Sequence, residues 1–424
     1  MNRDSAYRHN ERLMLLAIFF FWFSVYTYPS FLTSYAVNEL KASGAIAGMI
    51  VGSYGLTQMA FRIPLGVLSD VLKKRRPFIM LGFGFSILAS AGLAFIAFLA
   101  GRDQIPQGLA LAALILRGIS GITAATWVHF SVLYTAGYEA DQVPAAMSRI
   151  IVPQCGSQIL AMLAGAQLAG YIGEIYAFLL AAAAGIVGLV LMTRIREQRP
   201  SGAPLTFRGL LEVAGNRRLL MSTLLATLYQ MVAWSTALGF VQNWAREVIG
   251  LTTAQLGYLS VANLLPNMVL SRLSGTRFLR KLGRKAVLCA GFLLLAAACF
   301  LYPKTDSLGT LLAVQALLGS GVGLIMPQTM SGAIEEIPDE KRGAAMGIYQ
   351  AVYGLGMFVG PVLAGLIMER FPAAASGGSE AVPAYSAVFF MAMIIALAGL
   401  VLTLFTVRKR PAGKSARPDG RNAL

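Results

Sequence analysis

Charge is scarce in this chain, and acid is scarcer than base. Of 424 residues, 13% are Asp, Glu, Lys or Arg, with 19 acids against 35 bases, while 57% are hydrophobic. A soluble domain carries about 25% charged residues, so this composition excludes an ordinary water-soluble fold. Histidine is nearly absent. His9 and His129 are the whole supply, and neither has a metal-ligand partner at a recognisable spacing, so neither a metal site nor a membrane enzyme is expected. Cys155, Cys289 and Cys299 all lie inside apolar segments, which rules out a disulfide framework. There is no glycine-rich nucleotide loop, hence no ATP drive within the chain, and no cofactor is expected. The net charge of +16 falls in short basic runs between apolar segments. Such spacing sets topology in a bilayer and argues against nucleic acid as a partner.

What is present is a series of apolar runs long enough to cross a membrane as helices. They fall near 13–37, 45–68, 78–99, 108–134, 146–171 and 175–192, then 219–241, 254–273, 286–302, 308–330, 344–368 and 385–407. The first run is too long for the core of a signal peptide, about 7–15 residues, and reads as a retained membrane segment. The expectation is an all-α integral membrane protein of twelve segments. Cations concentrate on the side holding both termini, in runs such as Lys73 to Arg76, Arg194 to Arg218 and Arg277 to Lys285. The opposite side has only Lys41, Arg102, Arg246, Lys304 and Arg370. Both termini are therefore expected in the cytoplasm, with the protein multi-pass in the plasma (inner) membrane.

The two halves repeat. Tyr35-Ala36, Ser43 and Gly48 correspond to Trp244-Ala245, Thr252 and Gly257, and Arg62 with Lys73-Lys74-Arg75 to Arg272 with Gly283-Arg284-Lys285. This divides the chain into a six-helix bundle at 1–193, a cytoplasmic linker at 194–218, a second bundle at 219–407 and a basic cytoplasmic tail at 408–424. The stretch Phe61 to Pro77 ends one apolar run with Gly66, Leu68, Ser69 and Asp70, followed by Lys73, Lys74, Arg75 and Arg76. That pattern resembles the loop signature G-x-L-[AS]-D-x-x-G-R-[RK] of the major facilitator superfamily, with Lys73 in place of the second Gly. The second copy keeps Gly283, Arg284 and Lys285 but has Arg280 where the first has Asp70. The resemblance implies twelve helices in two pseudo-symmetric bundles. It also implies a cytoplasmic gate built from Gly66, Asp70, Lys74, Arg75, Gly283, Arg284 and Lys285.

Three arginines lie inside apolar runs. Arg117 sits about 14 Å along the fourth segment, and with Gly121 and Ala125 it resembles the fourth-helix motif of proton-coupled family members. Arg62 and Arg272 sit about 12 Å in at equivalent places, and their symmetry suggests a clamp on one anion from both halves. All 19 acids fall in loops or at segment ends, so the acid typical of cation exporters is missing and an anionic substrate is favoured. Gln58, Tyr26, Gln230, Trp234 and Gln350 are candidate cavity residues. Gly121, Gly165, Gly356, Gly360 and Pro361 read as helix-packing positions. The expected function is secondary transport of a small organic anion by a monomer, with a coupling proton or counter-anion. Proton-driven efflux of drug-like or sugar-like compounds is the alternative.

Overall fold

A computed structural model of the chain describes residues 3–102, 108–136, 138, 142–195, 197, 207–338, 341–371 and 378–407. Among the described residues the regular elements are all helical. The first half contains α1 (Arg3–Tyr26), α2 (Leu32–Asn38), α3 (Gly44–Val71), α4 (Arg76–Ala100), α5 (Leu109–Ala125), α6 (Trp127–Thr135), α7 (Val143–Tyr171) and α8 (Glu174–Arg194). After a short α9 (Phe207–Ala214) come α10 (Arg217–Ser235), α11 (Val241–Glu247), α12 (Thr253–Leu273), α13 (Leu279–Leu301), α14 (Leu308–Ile334), α15 (Arg342–Glu369) and α16 (Val382–Thr406). Among the described residues, eight helical stretches are long and apolar enough to cross a membrane. The other four expected segments fall on α1–α2, α3, α7 and α12. These are also helical, and α3, α7 and α12 meet the opposite half, as α15 does. The chain is a multi-pass membrane protein.

Three of the twelve segments are broken, each for a local reason. Pro29 lies between α1 and α2 and cannot supply a helix hydrogen bond. The hydroxyl of Thr126, between α5 and α6, donates to the Thr123 carbonyl at 2.8 Å and competes with the backbone ladder. A π-turn at Thr236–Phe240, with Gly239 outside helical geometry, separates α10 from α11. Segment starts follow the repeat. Ser43 caps α3 by accepting from the Ile46 N–H, and its counterpart Thr252 caps α12 in a box with Gln255.

Packing has the same twofold pattern. In the first half α3 lies on α5, α4 on α5 and α8, and α1 on α7 and α8; in the second half α12 lies on α14, α13 on α14 and α16, and α10 on α15 and α16. Each pair has its counterpart. The halves meet along two seams, α3 on α15 and α7 on α12.

Small residues make the seams close. A Cβ at Gly48 would overlap the Pro361 carbonyl, and one at Gly365 the Gly44 carbonyl. Within each half, Gly121 faces Thr57 and the Tyr54 carbonyl, Gly165 the Thr27 carbonyl, Gly356 the Thr227 carbonyl and Gly360 the Met231 carbonyl. In a bilayer, where lipid competes equally for apolar surface, such backbone approach is what makes helix association favourable.

Two expectations change. The region read as linker contains α9, which packs on α15 with Leu210 and Val213 buried and with Glu212 paired to Lys341 at 2.8 Å. Its eight residues are too few for a membrane span but enough to bury one apolar face. The second basic loop is largely helical, running through a π-turn at Ser274–Phe278 into α13, with the chain direction broken at Gly283. The tail at 408–424 lies outside the described residues.

Lys73 has φ +51°, and its repeat partner Gly283 has φ +77° and ψ +159°. The latter conformation is essentially restricted to glycine. Gly283→Ala is therefore expected to cost about 1–3 kcal/mol, read as a lower melting temperature of the purified protein, whereas Lys73→Gly should be neutral to stabilising. Equal melting of Gly283→Ala and the parent would contradict the strain.

Candidate functional site

Arg117 lies at the centre of the bundle, on the face of α5 turned toward α3. It is 3% exposed. Its Nη1 donates to Ser120 Oγ at 3.1 Å, and its guanidinium carbon lies 4.4 Å from the Tyr54 ring centre and 5.3 Å from that of Tyr28. Nε is buried with no hydrogen-bond partner. Among the described residues no carboxylate forms an ion pair with it. Two aromatic faces stabilise a desolvated cation by about 0.5–2 kcal/mol each. A guanidinium at mid-membrane costs at least about 2.5–3.5 kcal/mol, so the faces roughly offset burial but leave the Nε–H unsatisfied.

The aromatic support crosses between the halves. Tyr54 on α3 stacks on Trp234 of α10, with ring centres 5.3 Å apart and planes at 19°. Pro29, Leu32, Val51, Arg117, Trp234 and Leu238 line a small gap beside this stack. Tyr26, half-buried, packs with Tyr54, Trp234, Met357 and Tyr353 in one cluster. Trp22 meets both Tyr26 and Trp127, at 5.6 and 5.0 Å, and Tyr349 meets Tyr353 at 5.4 Å. Aromatic side chains therefore come to this centre from both halves.

Arg62 is 5% exposed and joins the halves. One guanidinium nitrogen donates to Gln350 Oε1 on α15 and the other to the Ala124 carbonyl at 3.1 Å. Gln58, a turn earlier, is buried with its Oε1 unpaired. Gln230 and Gln350 are half-buried. Arg272, by contrast, is exposed, in the last turn of α12 just before the π-turn at Ser274–Phe278. The symmetry that pairs Arg62 with Arg272 in the sequence is not repeated in their burial, and Arg62 meets an amide of the opposite half where an arginine pair was expected.

Sequence reasoning placed Gln58 and Arg62 on one face of α3 and missed Tyr54, a turn earlier on the same face. The spacing was available, since residues four apart share a helix face. Trp127 and Tyr353 gave no such signal, because an aromatic inside an apolar run looks the same whether it faces lipid or a cavity.

Near the basic loops, the cations tie helix ends together within each half. Arg75 pairs with Asp70 and donates to Ser69, and the Gly66 carbonyl accepts from Ser69 at 2.8 Å. Glu197 accepts from the backbone N–H groups of Arg75 and Arg76. Arg76 donates to the Met192 and Thr193 carbonyls at 2.9 and 2.6 Å, satisfying the C-terminal end of α8. Lys74 is exposed. In the second half Arg284 pairs with Glu335 and Lys285 donates to the Leu404 carbonyl. Arg218 pairs with Glu335 and Glu336 at 3.3 and 2.9 Å.

Hydrogen bonds between the halves concentrate at the other end. Thr33 donates to the Leu238 carbonyl at 3.1 Å, Gln242 to Pro29 at 2.9 Å and Gln167 to Ala254 at 2.8 Å. Arg246 reaches Ser34 at 3.3 Å and Glu39 at 3.9 Å. Arg62 to Gln350 is a further inter-half bond, on the basic-loop side of these. The bundle is thus fastened at the Lys41 end.

Two related helical bundles, fastened at one end around an aromatic-lined centre that holds a cation, make a membrane transporter. The chain matches the Major Facilitator Superfamily over residues 14–280 and 223–423 and belongs to that family. The quinolone resistance protein NorA of Staphylococcus aureus is 30% identical over 122 residues, 28% of this chain and only 31% of NorA. The MFS-type transporter YceJ of Bacillus subtilis is 26% identical over 343 residues, 78% of this chain and 82% of that protein. Among solved structures, the nucleoside transporter NupG superposes with a TM-score of 0.70 at 16% identity, covering 93% of this chain and 99% of NupG. A bacterial homologue of the human lysosomal transporter Spinster, inward-facing and unoccupied, gives 0.73 at 14% identity, covering 95% of this chain and 96% of its own. These structural likenesses show the fold.

Removing Arg75 leaves Asp70 and Ser69 without their shared partner. Arg75→Ala is expected to destabilise the protein by about 3–5 kcal/mol, as for other broken buried pairs, whereas Lys74→Ala should leave the melting temperature unchanged. Equal effects of the two variants in a detergent melt would show that the loop cations act only by their number.

Proposed function

We propose that this protein is a secondary transporter that carries a small organic anion by alternating access, with Arg117 as the anchor for the negative group. The observation that supports this reading is the buried guanidinium with an unpartnered Nε–H and, among the described residues, no carboxylate paired with it. A bound anion supplies the missing acceptor, and does so between two halves that separate during transport. Arg62, tied to Gln350, acts in this reading as the contact the halves break and remake, and Arg272 is left at the mouth of the path. The unit is a monomer, coupled to a proton or a counter-anion.

The basic loops and both termini are assigned to the cytoplasm of the plasma (inner) membrane, since cations are retained on that side. The fastened Lys41 end then faces outward, and the conformation is inward-facing. The division at 1–193, 194–218 and 219–407 is kept, with α9 as a structured part of the connection. A second reading, proton-driven efflux of drug-like compounds, is supported by the partial likeness to NorA.

The two readings separate by substitution. In a thermal-shift screen of organic anions, cations and neutral compounds, anions at 100 times their dissociation constant should stabilise the parent by about 2.7 kcal/mol. Arg117→Gln should abolish that shift while keeping the parent's unliganded melting temperature within a few degrees. Stabilisation by lipophilic cations alone, unchanged in Arg117→Gln, would overturn the anion reading and favour efflux.

A further inference from the structure

We propose that the substrate is a planar aromatic carboxylate, its ring recognised by the Tyr54–Trp234 platform while its carboxylate takes the free edge of Arg117. This rests on the anion reading of the same centre and adds the chemical class of the rest of the ligand.

Three observations carry it. Arg117 has its Nη1 engaged by Ser120 and its Nε–H buried without a partner, so one edge of the guanidinium fork is committed and the other can receive a carboxylate oxygen. The gap that Arg117 lines is otherwise apolar. The small gap beside Arg117, about 10 Å³, is lined by Pro29, Leu32, Val51, Trp234 and Leu238, a lining that disfavours a second charge or a polyhydroxylated body; a ring needs the halves to part. Finally, Tyr54 and Trp234 are stacked with an offset, their centres 5.3 Å apart and planes at 19°, and come from opposite halves. Separation of the halves would part the two rings and expose two aromatic faces at once. A ligand ring that slides between them replaces the lost ring contact and stacks on both, the arrangement aromatic groups favour. Arg62 has both terminal nitrogens engaged, by Gln350 and the Ala124 carbonyl, and only its Nε–H is without a partner, so Arg117 offers the ligand the freer fork.

The test is isothermal titration of the full-length protein in detergent with benzoate, its saturated analogue cyclohexanecarboxylate and its neutral analogue benzamide. Benzoate is expected to bind about threefold to tenfold more tightly than cyclohexanecarboxylate, the range that aromatic stacking provides. That preference should vanish in Trp234→Leu and return in Trp234→Phe, which keeps a ring; the unliganded melting temperature of each variant shows that it is folded. Equal affinity of the parent for benzoate and cyclohexanecarboxylate would overturn the stacking inference and leave the anion reading standing. Equal affinity for benzoate and benzamide would overturn the anion reading, and with it the carboxylate assigned here. Absence of binding by all three probes would overturn the inference as well.

Discussion

A guanidinium held in the apolar centre of a membrane bundle, without an acid to pair with, is the constraint around which the site is built. Burial takes it out of bulk solvent, and transfer of a charge into such surroundings is costly. The fold meets that cost with quadrupoles, since Tyr54 and Tyr28 present their faces to Arg117, and with one hydroxyl from Ser120. It does not meet it completely. The unpartnered Nε–H is a standing demand for an acceptor, and the position of that demand between two separable halves is what connects electrostatics to transport.

The seams supply the other requirement, that separation be possible. Backbone lies directly on backbone where Gly48 meets Pro361 and Gly365 meets Gly44, so the halves touch through small, flat surfaces rather than interlocked side chains. Polar links fasten one end, through Thr33, Gln242, Arg246 and Gln167, while at the basic loops Arg75, Arg76, Arg284 and Lys285 bind helix ends of their own half. A rigid half that rocks on a smooth seam is the motion expected of parallel six-helix repeats. Arg62 and Gln350 sit where the seam gives way, and their bond is the polar contact such a motion must break.

Much of the architecture was legible in the sequence. Runs of apolar residues identified the segments, because a bilayer leaves helices as the solution for a chain of this composition, and the recurrence of Ser43 as Thr252 and of Arg62 as Arg272 exposed the repeat. Packing glycines such as Gly121 and Gly360 were visible from their i+4 spacing. The breaks were harder to see: Thr126 and Gly239 interrupt helices through local hydrogen bonding and backbone geometry that hydropathy does not register. α9 was hidden by its length. For the site, depth singled out Arg117 and Arg62, but symmetry in the sequence overstated the likeness of Arg62 and Arg272, whose burial depends on where each helix ends. Tyr54 was missed because its role comes from a contact with Trp234, 180 positions away along the chain, and pairwise tertiary contact leaves no mark on local pattern.

The central claim is that an organic anion enters between the halves at Arg117 and draws them together. It is tested most directly by the distance between spin labels at two exposed positions, Val152 on α7 and Val269 on α12, in protein reconstituted in lipid and measured with benzoate, with benzamide and without ligand. The account predicts that benzoate shifts the population toward the shorter distance and that benzamide leaves it where it was. An unchanged distribution with saturating benzoate, or an identical shift with both compounds, would contradict it.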